Sequence, residues 1–184
     1  MENLSNMMGK SDRYLKCLDV LKTDPTCQRY NNGSYIIIYL SPQDYHRVHC
    51  HDGGTLRELQ YQPGQLWPVF PAATRKIPHL FDRNERLVFH IEHFDRGNVQ
   101  SVLAMIGAFG VGRMTTDWNP VITNNHEPQQ DITILQSIQR GDEIGRFELG
   151  STVVLFFQPD QIVSWGVEEG QKVQLGQPIA DLVT

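Results

Sequence analysis

Cysteine is scarce in this chain, and long apolar runs are missing. The 184 residues include three cysteines, Cys17, Cys27 and Cys50. An odd and sparse set argues against a disulfide framework and for free thiols in a reducing compartment. The apolar runs at 35–40 and 153–157 are far shorter than the roughly 20 residues of a membrane-spanning helix. The N-terminus also lacks the basic, apolar and small-residue pattern of a signal peptide, so we expect neither a transmembrane helix nor a signal peptide.

Basic residues are too few for a protein that binds nucleic acid through phosphate contacts. Lys and Arg number 16 against 21 Asp and Glu, which gives a formal net charge of −5. We therefore expect no nucleic acid as a partner. Hydrophobic residues make up 40% of the chain, which is enough for a core and excludes chain-wide disorder. The length predicts a single domain, 1–184.

Turn signals divide most of the chain into short stretches that are typical of strands. The run Ser34–Leu40, rich in Ile and Tyr, follows an Asn-Asn-Gly turn. Further β-like runs lie at Leu87–Glu92, 98–107, Ser151–Phe157 and Gln171–Gln174. We therefore predict a mainly β (α+β) domain, a barrel or sandwich core of short strands with a few short helices at its N-terminal side.

Two segments depart from this strand pattern, and a third is polar. Apolar residues spaced by three and four predict one or two helices over 1–21; they are Leu4, Met7, Met8, Leu15, Leu18 and Leu21. The segment Leu80–Arg86 predicts a short helix or turn. The proline-broken polar segment 117–130 predicts a long loop.

The densest group of chemically active side chains spans 44–52. It holds three of the seven histidines, His46, His49 and His51, together with Cys50. Such a group suits acid–base catalysis, a reactive cysteine, a metal site or merely a polar loop after a strand. The remaining histidines lack the spacing of metal ligands, so a metal site is the interpretation we favour least. The residues alone leave catalysis and a polar loop equally open.

A second feature is the Gly150-Ser151 pair before an apolar strand. A serine hydroxyl with a base beside it can attack a carbonyl carbon. A preceding glycine leaves that carbonyl unobstructed and permits strained backbone. The pair therefore has the residues that a self-cleaving bond needs, although taken alone a Gly-Ser pair before a strand is more often ordinary turn chemistry.

Two longer motifs resemble the signatures of the phosphatidylserine decarboxylases, which are pyruvoyl-dependent enzymes. They are Leu-Ser-Pro-Gln-Asp-Tyr-His-Arg-Val-His at 40–49 and Leu-Gly-Ser-Thr at 149–152. Segments 80–86 and 106–112, and Gly-Arg-Phe at 145–147, are similar to family segments and occur in the family's order. The resemblance extends from about residue 32 to the C-terminus.

This resemblance implies self-cleavage into 1–150 (the β chain) and 151–184 (the α chain). The Gly150–Ser151 bond would be the cleavage site, and Ser151 would become a pyruvoyl group. That group would take up the electron pair as phosphatidylserine loses CO₂ to give phosphatidylethanolamine.

The resemblance also assigns roles to the residues that match the motifs. His49 corresponds to the base that activates Ser151, and His46 corresponds to the histidine of the decarboxylation step. Supporting roles fall to Asp44, Tyr45 and Thr152. No metal is implied.

Partners and location follow from the same resemblance. We expect a peripheral, membrane-associated protein whose α and β chains stay paired, with room for a homodimer. Its substrate would be phosphatidylserine or another carboxylate that bears an amine. Family members carry a longer N-terminal portion, with an aspartate that orients the processing histidine. No matching segment is found in this sequence, and Asp44 and Asp52 are the nearby candidates to replace that aspartate.

Two other functions remain open at this point. Some relatives decarboxylate free aromatic amino acids, so the substrate of this chain could be a soluble amino acid. The chain could also be an unprocessed, non-enzymatic homologue that binds lipid or a protein partner.

Overall fold

The computed structural model describes residues 4–10, 20, 25–97, 99–110, 113–118, 123–124 and 127–183. Strands dominate these ranges, which confirms the mainly β prediction. The strands are β1 (Leu4–Lys10), β2 (Ser34–Tyr39), β3 (Arg47–His49), β4 (Gly54–Gln62), β5 (Arg86–His93), β6 (Gln100–Ile106), β7 (Met114–Thr115), β8 (Gln130–Ile138), β9 (Glu143–Phe147), β10 (Thr152–Phe157), β11 (Ile162–Trp165), β12 (Lys172–Val173) and β13 (Ala180–Leu182).

Helical structure is short. A 3₁₀ helix spans Pro25–Tyr30, before β2, and two α-helices span Pro71–Lys76 and Leu80–Arg83 in the middle of the chain. None of the helices in the described ranges has the length and apolar character needed to cross a membrane.

Eight strands form one antiparallel sheet in the order β12-β1-β2-β10-β6-β5-β4-β8. Two smaller sheets have the orders β3-β9-β7 and β11-β13. Every residue of β10 is buried, and so is nearly every residue of β5 and β6. Continuous burial of this kind marks strands that are covered on both faces. The core therefore lies around the middle of the large sheet.

The described residues Leu4–Lys10 form a strand, so the helix predicted over 1–21 is wrong there, whereas Val20, the other described residue of this range, is helical. β1 pairs antiparallel with β2, from Ser5 opposite Tyr39 to Lys10 opposite Ser34. This pairing satisfies the backbone of β1 and overrides a helix-like spacing of only three apolar residues. The other three apolar positions of the predicted helix, Leu15, Leu18 and Leu21, lie outside the described residues.

Most predicted strands are present within one or two residues of the predicted bounds, namely β2, β5, β6, β10 and β12. The segment Leu80–Arg86 contains the predicted short helix and then the first residue of β5. The described members of the polar segment 117–130 form turns or irregular structure until β8 begins at Gln130. The other described strands were not predicted, namely β1, β3, β4, β7, β8, β9, β11 and β13.

The position of β10 brings the two motif segments together. β10 lies between β2 and β6, and Thr152 at its start pairs with Tyr39 on one side and Ile106 on the other. The 40–49 motif begins directly after β2. As a result, the Gly150–Ser151 bond lies where β2 and β6 both end.

Candidate active site

The Gly150–Ser151 bond packs tightly against the start of the 40–49 motif. A Cβ atom added at Gly150 would lie 2.5 Å from the Leu40 carbonyl oxygen and 2.7 Å from the Ser41 carbonyl carbon. Both obstacles are backbone atoms, so only glycine permits this approach. The Leu40 N–H donates to the Ser151 carbonyl oxygen at 2.6 Å. The backbone on both sides of the bond is therefore held in place.

The Ser151 side chain is buried, with 1% of the residue exposed. Its hydroxyl donates to the carbonyl oxygen of Ile106, the last residue of β6. Within the described part of the chain, neither His46 nor His49 forms a hydrogen bond with this hydroxyl. The structure thus satisfies Ser151 with a backbone acceptor and keeps it apart from both histidines.

His46 is held beside Gly150 by a tight turn. The Asp44 carboxylate accepts the backbone N–H and the hydroxyl of Ser41, both at 2.7 Å. The Ser41 carbonyl oxygen accepts the Asp44 N–H at 2.9 Å and the His46 Nε2–H at 3.0 Å. Because a carbonyl can only accept, Nε2 is the nitrogen of His46 that carries a proton. The same Ser41 carbonyl contacts Gly150, so His46 and the Gly150–Ser151 bond share one neighbour.

His49 has the opposite arrangement of ring protons. Its Nδ1–H donates to the Gly141 carbonyl oxygen at 2.8 Å, and its Nε2 is 2.9 Å from the Tyr45 hydroxyl. In a neutral ring with Nδ1 protonated, Nε2 accepts from Tyr45. The Tyr45 ring also stacks on His49 at 5.6 Å, with 15° between the planes. In this arrangement the Nε2 atom of His49 is a hydrogen-bond acceptor.

The group that orients His49 is a backbone carbonyl. Gly141 lies in a tight turn with φ of +90°, and its N–H donates to the Cys50 carbonyl oxygen at 2.8 Å. This turn places the Gly141 carbonyl at Nδ1 of His49, the position that a carboxylate occupies in Ser-His-Asp triads.

Neither suggested substitute aspartate takes that position. Asp44 holds Ser41, as described above. Asp52 is bound by Arg96 and by Arg140, each at 2.8 Å. Burial opposes the ionisation of Asp52, but the hydrogen bond from Arg140 and the charge of Arg96 outweigh it and lower the pKa of the carboxyl. Because Gly141 and Tyr45 take both ring nitrogens of His49, neither aspartate orients this ring.

Thr152 and Cys50 complete the predicted residues around the site. Thr152 is fully buried, and its hydroxyl has no hydrogen-bond partner among the described residues. The Cys50 thiol is buried and contacts the Asp52 carbonyl oxygen at 2.7 Å. Burial raises the pKa of this thiol to about 11, which argues against a reactive cysteine.

Sequence reasoning missed a second polar cluster at the other end of β6. The Ser101 hydroxyl lies 2.9 Å from His93 Nε2 and 2.8 Å from His51 Nε2. His93 Nδ1 is 3.2 Å from the Gly53 carbonyl oxygen and 3.6 Å from Asp52. The only sequence signal was the histidine content itself, since Ser101 belongs to a run that predicts an ordinary strand and His93 directly follows another such run.

The amino-acid sequence is similar to those of one family of known proteins. A family model described as phosphatidylserine decarboxylase matches residues 2–181. A phosphatidylserine decarboxylase proenzyme of Legionella pneumophila is 37% identical over 181 residues, which cover 95% of this chain and 63% of that protein. The proenzyme of the same name from Brevibacillus brevis is 37% identical over 163 residues, or 86% of this chain and 57% of that protein. The one from Herminiimonas arsenicoxydans is 40% identical over 163 residues, or 84% and 53%. The chain thus spans between about half and two thirds of the length of these relatives.

Proposed function

Because this chain belongs to the phosphatidylserine decarboxylase family, we propose that it cleaves itself between Gly150 and Ser151 and then decarboxylates phosphatidylserine to phosphatidylethanolamine. The observation that carries the proposal is the Gly150–Ser151 junction. A glycine at which any Cβ atom would press on the neighbouring backbone is followed by a buried serine just before a central strand. The name proenzyme of the relatives supports a processing step.

The proposed cleavage uses atoms of this chain and one water molecule. Ser151 Oγ bonds to the Gly150 carbonyl carbon and the peptide C–N bond breaks, so the amide becomes an ester and the Ser151 nitrogen a free amine. Removal of the Ser151 Cα proton then expels the Gly150 carboxylate and leaves a dehydroalanine. Addition of water and loss of ammonia convert that residue into a pyruvoyl group on chain 151–184.

His49 supplies the base for this cleavage. Its Nε2 is the unprotonated nitrogen, held by the Tyr45 hydroxyl and oriented through Gly141. For proton transfer, the Ser151 hydroxyl must leave the Ile106 carbonyl and reach Nε2 of His49. Tyr45 must release Nε2 at the same time, so its hydroxyl is a positioning group for His49.

His46 acts in the second reaction. Its Nε2–H points at the Ser41 carbonyl beside Gly150, so it places a proton close to the bond that is cut. A donor at this position can orient the substrate carboxylate and later protonate the carbon that has lost CO₂.

The residues present fit a pyruvoyl group at position 151. The Leu40 N–H already binds the Ser151 carbonyl oxygen, which remains part of such a group. The hydroxyl of the next residue, Thr152, is buried and has no hydrogen-bond partner among the described residues. These two groups would hold the cofactor. When formed, it supplies a carbonyl that takes up the electron pair of the leaving carboxylate.

The experiment is a decarboxylation assay on phosphatidylserine in detergent micelles, with free serine and free aromatic amino acids as separate substrates. We expect wild-type protein to release CO₂ from the lipid and Ser151→Ala protein to release none. Release from a free amino acid but not from the lipid would overturn the lipid substrate in favour of a soluble one. Equal, background release by both proteins would overturn the enzymatic function.

A further inference from the structure

Four large apolar side chains are exposed on the segment before Ser151 and on two segments that hydrogen bonds connect to it directly or in series. We call them the apolar rim: Trp67, Phe70, Phe109 and Leu149, whose exposed fractions are 41%, 47%, 79% and 43%. Exposed apolar groups are ordinary when they are scattered singly, but a group beside a functional site marks an interaction surface.

Two hydrogen bonds attach the loop that carries Phe109, which runs from Ile106 to Arg113 (the Phe109 loop), to residues 148–151 (the cleavage segment). At one end of the loop, the Ser151 hydroxyl donates to the Ile106 carbonyl oxygen. At the other end, the Glu148 N–H donates to the Arg113 carbonyl oxygen at 3.1 Å. Leu149 directly precedes the Gly150–Ser151 bond, and Phe109 belongs to the loop whose two ends are hydrogen-bonded to this segment.

A buried asparagine attaches the Trp67 segment to the same loop. Asn84 is fully buried, and its Nδ2 donates to the Gly107 carbonyl at 2.9 Å and to the Trp67 carbonyl at 2.8 Å. Its Oδ1 accepts the Trp67 N–H at 3.0 Å. The Leu66 side chain packs directly on Gly107. Asn84 therefore holds the backbone at Trp67 and at Gly107 in place, while the side chains of the rim remain exposed.

The charge at the base of the Phe109 loop is balanced. Arg113 and Glu148 pair there at 3.2 Å with half or more of each side chain exposed. A neutral group of Trp, Phe and Leu suits the boundary between lipid head groups and acyl chains. An acidic or basic macromolecule fits this loop less well, because the ion pair leaves no net charge at its base.

We propose that the apolar rim inserts into the surface of a phospholipid bilayer and brings lipid head groups to Ser151. This inference rests on the proposed function in one respect: it takes the substrate to be a lipid whose acyl chains stay in the bilayer. The rim then lies where the substrate must approach. Since the rim is neutral, its binding to vesicles should depend only weakly on salt.

The test is flotation with vesicles of phosphatidylcholine and phosphatidylserine, comparing wild type with Phe109→Ser and with the control Phe94→Ser. Phe94 is likewise half exposed, at 50%, but follows β5 at the opposite end of β6 from Ile106. That end is about 20 Å away at roughly 3.3 Å per residue. We expect the Phe109 variant to bind on the order of tenfold more weakly and the Phe94 variant to bind like wild type. Trp67 fluorescence should shift to shorter wavelength on binding.

Equal binding by the two variants would overturn the inference. So would self-association of the wild type that Phe109→Ser abolishes, because the rim would then be covered by a second copy of the chain.

Activity measured on vesicles and on dispersed lipid distinguishes a failure of this inference from a failure of the proposed function. The ratio of activity on vesicles to activity on dispersed short-chain phosphatidylserine should fall in the Phe109 variant and stay unchanged in the Phe94 variant. If no lipid is decarboxylated in any form while vesicle binding still depends on Phe109, the proposed function is wrong but membrane binding through the rim is supported. If short-chain lipid is decarboxylated and the ratio is the same in all three proteins, membrane binding through the rim is wrong but the proposed function is supported.

Discussion

At the scale of single residues, His46 and His49 differ in which ring nitrogen carries the proton. The Ser41 carbonyl keeps a proton on Nε2 of His46, whereas the Gly141 carbonyl draws the proton of His49 to Nδ1 and leaves Nε2 basic. Two histidines separated by only two residues thus present a donor and an acceptor. This difference allows one of them to serve cleavage and the other decarboxylation.

The first prediction separates these two roles. His49→Asn should slow self-cleavage by roughly 10²–10⁴-fold, the usual loss when a general base is removed. His46→Asn should cleave faster than the His49 variant but decarboxylate slowly once cleaved. The cleaved fraction against time on denaturing gels measures the first effect, and CO₂ release per cleaved chain measures the second. Cleavage of the His49 variant at the wild-type rate would rule out its role as the base.

The second prediction concerns Gly150. Gly150→Ala should lower stability by about 1–3 kcal/mol, because the new methyl group meets backbone atoms at 2.5 and 2.7 Å that cannot move aside cheaply. The control is Gly53→Ala, since the nearest atoms to a Cβ there are 3.8–3.9 Å away. Thermal unfolding of both variants, each in a Ser151→Ala background that prevents cleavage, measures the difference. Equal melting temperatures would contradict the close packing at Gly150.

The sequence could predict the site's side chains but not its backbone partners. Ser151, His46 and His49 stand in motifs of recognisable residue types. The carbonyl groups of Ile106 and Gly141 leave no such trace, because every residue has a carbonyl. Which one meets Ser151 or His49 depends on strand ends and on the bulge between Val48 and His49 in the β3–β9 pairing.

At the scale of elements, the structure shows where periodicity misleads. The apolar spacing of Leu4, Met7 and Met8 fits a helix, but the edge of β2 offers a backbone partner that turns the segment into β1. In β4 the register shifts between Leu56 and Glu58, which breaks the alternation that identifies a strand. Continuous apolar runs such as β10 were predictable because they are buried on both faces.

The third prediction concerns the cluster that joins the segment after β3 to β5 and β6. His93 Nδ1–H faces the Gly53 carbonyl, so the Ser101 hydroxyl donates to His93 Nε2 and accepts from His51 Nε2–H. Burial, together with the neighbouring His93, lowers the pKa of His51 to about 3. Burial also lowers the pKa of His93, although the Gly53 carbonyl and Asp52 oppose this shift.

The sign of the pH dependence follows from these directions. Below pH 6.5 the unfolded chain protonates both histidines, while the folded protein keeps them neutral until a lower pH. The unfolded state therefore binds more protons, and the free energy of unfolding must fall as the pH falls from about 6.5 towards 3. Asp52, Arg96 and Arg140 are the charged groups that face the cluster.

Urea unfolding of Ser151→Ala protein at pH 7.5 and pH 5 tests this prediction. We expect a lower midpoint at pH 5, and a smaller difference between the two pH values when His51→Gln is added. The glutamine keeps a donor near Ser101 but does not titrate. A midpoint that is the same or higher at pH 5 would contradict the neutral, buried state of these histidines.

At the scale of the whole molecule, the proposed cleavage site lies at a place where a cut would leave the fold intact. Chain 151–184 would contribute β10, which lies between β2 and β6 of chain 1–150, and also β12, which pairs with β1. All six residues of β10 are buried. Cutting the bond before β10 would remove no strand pairing, so we expect the two chains to stay together.

The fourth prediction is that cleaved protein behaves as one particle in the absence of denaturant. Both chains should coelute from a gel-filtration column and appear in one complex by native mass spectrometry, and they should separate only in denaturant. The uncleaved Ser151→Ala protein is the matched control for size. Release of the small chain without denaturant would contradict the central position of β10.

The fold class was predictable from turn spacing and apolar runs, but the strand order was not. In the large sheet, β10 is hydrogen-bonded to β2 and β6, which lie far from it in the sequence. Short-range patterns carry no information on pairings across such distances. The order of the two motifs along the chain was enough to indicate the family, and the sheet explains why motifs about 100 residues apart lie side by side.

Self-conversion at Gly150–Ser151 is the central claim, and intact-mass spectrometry of denatured protein tests it most directly. We predict two masses in place of one. The larger belongs to residues 1–150 with an ordinary carboxyl end, and the smaller to residues 151–184, lighter by one ammonia than a peptide that begins with serine. Ser151→Ala protein should show a single mass for all 184 residues. A single full-length mass for folded wild-type protein after prolonged incubation would contradict the account.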